Sequence, residues 1–284
     1  MKVIWVLENI EEDKSFYGKL NILLLLASVR LWKKHNPLDN CVLYADAMTL
    51  DLLGELQVGT LWNEVIEYKG TRQINRSVFW AASKLQVLSE QTEPVILMDN
   101  DTLVFKPIKQ FLDKDTHYVC NLEQGQGYYP STVDKYVRQL SYRTRWKTES
   151  VNVSFLYLPD PSFIKLYSNM SLDFMEEFTK MNAPNPQYLI FSEQMLLRHL
   201  FEREDIQFKS LISTYWDCQA WDWGKDHDKG IWTYKESVIN FKHYGPEKTL
   251  ILQNKAYSTY DEEVEMLLNC INIPNLDLSS IHKK

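Results

Sequence analysis

The sequence predicts an α/β fold in which a mainly parallel central sheet is flanked by helices. Short apolar runs with the length of buried strands alternate with segments in which apolar residues recur at helical spacing. In chain order these segments are 3–7, 17–35, 41–45, 49–57, 64–68 and 77–90. Such alternation is typical of parallel sheets, and folds of this class bind ligands at the carboxyl ends of their strands.

The first two elements carry the end signals expected of a strand and a helix. The run at 3–7 is followed by Glu8, so polar groups begin where the first strand ends. The helix at 17–35 has basic residues in its last turn, and Pro37 follows just beyond it. These signals favour the predicted boundaries.

The second half of the chain is less regular. Its predicted strands and helices lie at 117–121, 151–158, 163–167, 172–181 and 191–203. No low-complexity linker or internal repeat interrupts the sequence, and 284 residues with 45% hydrophobic content can bury one large core. We therefore expect a single domain over 1–284, with a loose tail at 273–284.

Composition and charge exclude several classes of protein. The chain has 31 Lys and Arg against 38 Asp and Glu, so it lacks the basic character of a nucleic-acid-binding protein. Its four cysteines form no C-x-x-C pair, which argues against a zinc site or a disulfide framework. The richest apolar run, 22–27, is far too short to span a bilayer. We expect a cytoplasmic protein.

One motif predicts a metal site. An apolar strand at 94–98 ends abruptly in Asp99-Asn100-Asp101, which we call the acidic triplet. Alternate side chains of an extended chain point the same way, so Asp99 and Asp101 are predicted to converge on one divalent cation, which in turn holds a diphosphate. The alternative, a purely structural role, needs a basic residue or a capping amide to offset two buried like charges.

The same Asp-x-Asp spacing occurs twice more, and context separates the three pairs. Asp113 and Asp115 lie in a polar stretch that we interpret as a solvated turn. Asp226 and Asp228 lie in a loop between two glycines. Only the acidic triplet follows a buried strand, so we predict the metal site there.

A second motif supports a resemblance to a known family. Residues 241–248 read F-K-H-Y-G-P-E-K, in which His243, Gly245 and Lys248 form the pattern H-x-G-x-x-K. With the acidic triplet, this segment resembles the GT-A glycosyltransferases, especially the retaining family-eight type. The family-eight pattern is H-x-x-G-x-x-K, which is one residue longer between His and Gly.

The resemblance implies a GT-A fold and transfer of a hexose from a nucleotide-diphosphate sugar, with UDP-sugars as the commonest donors. It implies a nucleotide-binding half at 1–105 and an acceptor and sugar half at 106–272. His243 would be the third metal ligand, Gly245 would let the backbone approach the diphosphate, and Lys248 would bind phosphate. An imidazole beside two carboxylates favours Mn²⁺, with Mg²⁺ as the alternative. A lone histidine is otherwise usually an ordinary core or surface residue.

The same resemblance implies further donor-binding residues. Arg76 and Lys84 would lie on a helix whose polar face contacts the sugar and diphosphate, although ordinary surface charge explains them equally well. Asn152 would hydrogen-bond a sugar hydroxyl, or else occupy a turn. The remaining candidates are chosen for their position alone. Glu8 and Asn9 lie at the end of the first predicted strand, and Asn100 lies within the acidic triplet.

Glu193 and Gln194 resemble a D-Q motif at the head of a helix, where Ser192 is a candidate N-cap. In a double-displacement mechanism Glu193 would be the nucleophile, whereas in a front-face mechanism Gln194 would stabilise the oxocarbenium-like state. If the enzyme instead inverts, Asp217 or Asp222 is the natural general base.

Two segments and two rival functions remain open. The aromatic and acidic segment 215–223 fits either stacking on an acceptor sugar or packing beneath a loop. The basic segment 135–147 fits either contact with an anionic membrane or a solvated helix. The acceptor would be a glycan or glycolipid. The rival functions are a non-catalytic carbohydrate-binding protein and a sugar nucleotidyltransferase, and the latter typically begins with a glycine-rich loop that this chain lacks.

Overall fold

The computed structural model describes the following residues: 1–8, 16–76, 78–124, 149–180, 188, 191–211, 216–217, 231–234, 241–244, 267–269, 271–273 and 276. The strands are β1 (Lys2–Leu7), β2 (Asn40–Ala45), β3 (Glu64–Glu67), β4 (Val95–Met98), β5 (Thr102–Val104), β6 (His117–Gln124), β7 (Glu149–Leu158), β8 (Phe208–Ser210), β9 (Trp216–Asp217), β10 (Ile231–Tyr234) and β11 (Phe241–Tyr244). The helices are α1 (Phe16–His35), α2 (Ala47–Glu55), α3 (Ala82–Ser89), α4 (Pro161–Lys180) and α5 (Leu196–Arg203). Short helical turns lie at Gly59–Leu61, Lys109–Phe111 and Phe191–Met195, the last of them π-helical.

The predicted fold class is confirmed, because the chain is mixed α/β with a mainly parallel sheet flanked by helices. It divides into two compact units. Unit 1 contains 1–69, 96–113 and 222–284, and unit 2 contains 70–95 and 114–221. The assignment of one domain to 1–284 stays a prediction. Among the described helices, none combines the length and the apolar character needed to cross a membrane.

Unit 1 contains the sheet strands in the order β3-β2-β1-β4, with β2 parallel to both β1 and β3. Every residue of β4 is buried, which explains its uninterrupted apolar sequence. At the edge, β3 exposes Glu64 and Glu67, and charged side chains there discourage pairing with another chain. A separate antiparallel sheet in unit 1 has the order β10-β11-β5.

Helix α1 is the most deeply buried helix segment of unit 1. From Ile22 to Val29 every side chain is 0 or 1% exposed, which accounts for the length of its apolar run. Near its end, the buried carboxylate of Asp39 accepts a hydrogen bond from Trp32 Nε1 at 3.2 Å and pairs with Lys109. The indole N–H and the basic partner together offset the desolvation of this carboxylate.

Two predicted helix starts in the first third of the chain are wrong. Helix α2 begins before 49, at Ala47, because Asp46 Oδ1 caps it by accepting the Thr49 N–H at 2.8 Å. Helix α3 begins only at Ala82, not at 77. The chain first makes a turn in which the Phe79 N–H donates to the Asn75 carbonyl at 2.9 Å.

Unit 2 contains the sheet strands β7-β6-β8, with β9 also pairing with β6. Strand β6 is antiparallel to β7 and parallel to β8 and β9. It extends beyond the predicted end at 121, because pairing with β7 resumes after an irregularity between Val119 and Asn121 and continues to Gln124. The prediction ended at Asn121, the first polar residue after the apolar run 118–120.

The predicted pair of helices at 163–167 and 172–181 is wrong, because α4 is continuous. The polar residues between the two apolar segments do not interrupt it: Ser168 and Ser171 are fully buried. Ser168 Oγ donates to the Ile164 carbonyl of the same helix at 2.7 Å, so its hydroxyl is satisfied without breaking the helix. The predicted helix at 191–203 also differs, since it begins as the π-helical turn before α5.

His117, the first residue of β6, lies in an aromatic cluster of unit 2. Its ring meets Phe163 and Phe201 edge to face, with centroid distances of 5.0 and 5.5 Å. Within the described part of the chain, its buried Nε2 has no hydrogen-bond partner. Desolvation of the charged form lowers the pKa of His117 to about 4, against a smaller opposing effect of Asp160.

We predict that acidification destabilises the protein through His117. In the unfolded chain its pKa is near 6.5, so between this value and about 4 the unfolded state binds more protons than the folded state. The free energy of unfolding should therefore fall as the pH drops through this window, by about 3 kcal/mol in total. Urea unfolding at a series of pH values, compared with His117→Leu, measures it. An identical pH dependence in both proteins would contradict the prediction.

Candidate functional site

The acidic triplet lies at the point where the chain leaves one sheet of unit 1 and enters another. Strand β4 belongs to the mainly parallel sheet and β5 to the antiparallel one. The prediction of an extended triplet is therefore wrong: the chain turns at Asn100 and Asp101, and the Thr102 N–H donates to the Asp99 carbonyl at 3.2 Å. Asp101 is 9% exposed, whereas Asp99 and Asn100 are half-buried.

The pairing of β5 with β11 brings the second motif to this turn. In the antiparallel register His243 is opposite Thr102, the residue that directly follows Asp101. The description of His243 is limited to its backbone, and Gly245 and Lys248 lie outside the described residues. Two segments that are distant in the sequence, the acidic triplet and the predicted histidine motif, therefore have neighbouring backbones within unit 1.

The nucleotide-base candidates adjoin the same sheet. Glu8 directly follows β1, which is the neighbour of β4 in unit 1. Asn9 lies outside the described residues. The predicted role of both side chains in reading a base stays a prediction.

Metal binding itself stays a prediction. Among the residues whose placement is described, no group of three or more His, Cys, Asp or Glu side chains is arranged to hold a metal ion. Of the other Asp-x-Asp pairs, Asp113 and Asp115 are exposed around a turn, as we interpreted them, and 226–228 lies outside the described residues.

In unit 2 the structure brings two of the predicted residues into contact. Lys84 Nζ, on α3, lies 3.1 Å from Glu193 Oε1, in the π-helical turn Phe191–Met195. Their side chains are only 15% and 6% exposed, so Lys84 is not an ordinary surface charge. The Tyr167 hydroxyl donates to the Glu193 carbonyl at 2.9 Å and fixes the backbone of this turn.

Of the predictions for the two neighbours of Glu193, the one for Ser192 is wrong and the one for Gln194 stays a prediction. Ser192 is not an N-cap, because it lies inside the π-helical turn and is fully buried. Gln194 is half-buried in the same turn, and its predicted role stays a prediction. Turns of this type insert an extra residue into a helix and are frequent at functional sites.

Arg76 lies in a turn before α3 and not on a helix as predicted. Its guanidinium packs over Gly70, where an added Cβ would overlap the Nη2 atom. Burial lowers the pKa of Arg76 from its usual value. The segment preceding it is anchored, because the Thr71 N–H donates to Gln86 Oε1 at 3.3 Å and Gln86 Nε2 donates to Thr71 Oγ1 at 2.7 Å.

Asn152 lies within β7, so the alternative of a turn asparagine is wrong. Its Nδ2 donates to Glu123 Oε1 at 2.7 Å, and its Oδ1 accepts the Ser154 N–H at 2.9 Å. Sequence reasoning missed Glu123, a carboxylate that is 5% exposed. The alternation of polar Asn121 and Glu123 along β6 was the available signal, since residues two apart share one face of a strand.

The basic segment 135–147 lies outside the described residues, as does the aromatic and acidic segment 215–223 apart from 216–217. Of the two general-base candidates for an inverting enzyme, Asp217 is described only by its backbone in β9, and Asp222 lies outside. Both alternatives for each segment therefore stay open as predictions.

We predict strong coupling between Lys84 and Glu193. Lys84→Met leaves a carboxylate that is 6% exposed without this cation, and it should lower the free energy of unfolding by about 3 kcal/mol. Glu193→Gln in the Lys84→Met background should cost less than in the wild type, by about 1–3 kcal/mol in a double-mutant cycle.

Lys69→Met is the matched control, because Lys69 and Glu67 form a pair 3.2 Å apart whose side chains are 75% and 44% exposed. It should change the free energy of unfolding by less than about 1 kcal/mol. Equal effects of Lys84→Met and Lys69→Met in urea unfolding would contradict the prediction.

No curated protein matches the sequence. Among solved structures, the glycosyltransferase GlyE of Streptococcus pneumoniae TIGR4 is similar at a TM-score of 0.40 and 13% identity, over 74% of this chain and 44% of GlyE. An active-site mutant of LgtC is similar at a TM-score of 0.39 and 12% identity, over 68% of this chain and 69% of LgtC.

A second LgtC structure, described as a galactosyltransferase in complex with donor and acceptor sugar analogues, is similar at a TM-score of 0.38 and 10% identity. It is matched over 68% of this chain and 70% of its own length. The chain thus spans less than half of GlyE and about seven tenths of LgtC. A family model, by contrast, matches residues 24–270, and the chain therefore belongs to DUF6734, a family of unknown function.

Proposed function

We propose that the chain is a metal-dependent GT-A glycosyltransferase that moves a hexose from a UDP-sugar to a glycan or glycolipid acceptor. The observation that carries the proposal is the pairing of β5 with β11, which aligns His243 with the residue after Asp101. Carboxylates at the end of a buried strand are suitable ligands for a divalent cation bound to a diphosphate, and a histidine on the neighbouring strand would add a nitrogen donor.

The proposed cation ligands are Asp99, Asp101 and His243, and their oxygen and nitrogen donors suit Mn²⁺, with Mg²⁺ as the alternative. When bound, the cation neutralises charge that develops on the leaving diphosphate. Lys248 would add a second positive charge, and Gly245 would allow a close approach of the backbone. Asn100, between the carboxylates, would contact the donor.

The chain's own residues are suited to the remaining tasks. In unit 2, Lys84 pairs with Glu193 at 3.1 Å and would orient its carboxylate as a nucleophile requires, which supports the proposal of a retaining mechanism. Gln194 would stabilise the oxocarbenium-like state. Asn152, whose amide nitrogen is oriented by Glu123, would hydrogen-bond a sugar hydroxyl, and Arg76 would contact the donor phosphates.

In unit 1, Glu8 and Asn9 would contact the uracil at the end of β1. A glycan or glycolipid acceptor would be held by 215–223, and 135–147 would add contact with an anionic membrane. No nucleic-acid partner is proposed, because the net charge of the chain is −7.

We expect Asp101→Asn to abolish Mn²⁺-dependent binding of UDP, because an amide is a much weaker cation ligand than a carboxylate. Calorimetric titration of UDP with and without Mn²⁺ measures the loss. Asp113→Asn is the matched control: it belongs to an Asp-x-Asp pair of the same spacing but is exposed, and it should bind UDP as the wild type does.

The same titration separates the rival functions. Absence of UDP binding in the wild type, with or without Mn²⁺, would overturn the proposal. Binding of free glycans that persists in Asp101→Asn would instead support a non-catalytic carbohydrate-binding protein. Release of UDP from a UDP-hexose in the presence of an acceptor, lost in Asp101→Asn, would support transfer.

We also expect Gly70→Ala to weaken UDP-sugar binding about tenfold, because the new methyl group displaces the Arg76 guanidinium and removes a charge-assisted hydrogen bond. The guanidinium is the mobile end of a long side chain, so stability should change little. Gly59→Ala, where the added methyl group meets nothing within 4 Å, is the control. An unchanged affinity in Gly70→Ala would argue against a donor contact by Arg76.

A further inference from the structure

We propose that Ser28 is a positioning residue for the acidic triplet, and that it holds the turn in the geometry that a cation requires. This inference rests on the proposed function, since it assumes that the triplet binds the metal of a UDP-sugar. It assigns a role to a side chain of α1 that contacts neither the predicted metal nor the donor.

Three buried residues form the connection. Trp5 Nε1, on β1, donates to Ser28 Oγ at 3.0 Å, and Ser28 Oγ donates to the Thr102 carbonyl at 2.8 Å. Trp5 and Ser28 are 0% exposed and Thr102 is 1% exposed, so all these polar atoms are removed from water. Buried hydrogen bonds of this kind are costly to break, because the remaining partners stay desolvated.

The connection acts on the backbone of the turn. Thr102 directly follows Asp101, and its N–H closes the turn on the Asp99 carbonyl at 3.2 Å. Its carbonyl is held by Ser28. Both backbone polar groups of Thr102 are thus occupied, one by the turn and one by α1. The backbone directly after Asp101 is therefore held at both of its polar groups, which restricts the geometry of the turn.

The hydrogen-bond partner of Ser28 differs from that of an ordinary buried serine in a helix. A serine inside a helix usually donates to the carbonyl four residues earlier, as Ser168 does to Ile164 in α4. Ser28 instead donates to a residue 74 positions away, although it lies in an otherwise apolar stretch. Loss of a group that hydrogen-bonds to a metal ligand typically weakens metal binding 10- to 100-fold, and we expect an effect at the low end of this range for Ser28, which acts through the residue after Asp101.

The test compares two neighbouring substitutions on α1. Ser28→Ala removes the connection, whereas Val29→Ala removes a side chain that is equally buried and does not bond to Thr102. Both should lower the urea midpoint of unfolding. Only Ser28→Ala should weaken Mn²⁺ binding, by about tenfold, as measured from the electron paramagnetic resonance signal of free Mn²⁺ in the presence of UDP. That pattern supports the positioning role.

Other outcomes overturn it. If the wild type binds Mn²⁺ with UDP and Asp101→Asn does not, but Ser28→Ala binds as the wild type does, the positioning role fails and the proposed function stands. Equal weakening by Ser28→Ala and Val29→Ala would also overturn it. If the wild type binds no Mn²⁺, both ideas fail together.

A second variant guards against failure of Ser28→Ala to fold. Ser28→Cys preserves most of the side-chain volume but replaces the hydroxyl with a weak donor. It should weaken Mn²⁺ binding in the same direction and by a smaller factor. Wild-type affinity in a folded Ser28→Cys protein would count against the positioning role.

Discussion

The acidic triplet lies at a change of sheet. The chain leaves the mainly parallel sheet at the end of β4 and enters the antiparallel sheet at β5. Strand β4, in which every residue is buried, is separated from β5 by only three residues. A tight turn is the only connection of that length, so two carboxylates are held in a backbone already fixed on both sides. The pairing of β5 with β11, and with it the register position of His243, depends on this turn.

In unit 2 the main constraint is a different one, the free-energy cost of burying charged side chains. Glu193 and Glu123 are each at least nine-tenths buried, and each has a specific polar partner, Lys84 for the first and Asn152 for the second. These partners lie on other elements, so the packing of α3 and of the two strands β6 and β7 decides whether each buried carboxylate has its polar partner. Polar pairing and hydrophobic packing are therefore mutually dependent in this unit.

Local patterns predicted the fold class and most of the first half, because β1, β2, β4 and α1 are buried along continuous apolar runs. These local patterns failed for features of the structure that are determined by tertiary contacts. An apolar strand followed by three polar residues does not reveal a change of sheet. The serines inside α4 resembled a break, because the sequence does not show that both are buried or that the Ser168 hydroxyl bonds within the helix. Lys84 and Glu193 are 109 residues apart in the sequence, and no local sequence pattern indicates that they are in contact.

The pairing of Thr102 with His243 joins segments separated by roughly half the chain. Contacts between such distant segments form late in folding, after the intervening chain has lost most of its freedom. The register that aligns His243 with Thr102 consequently requires that the chain has been synthesised at least as far as β11. A chain released before β11 has been synthesised would therefore have the acidic triplet but not the strand that pairs with β5.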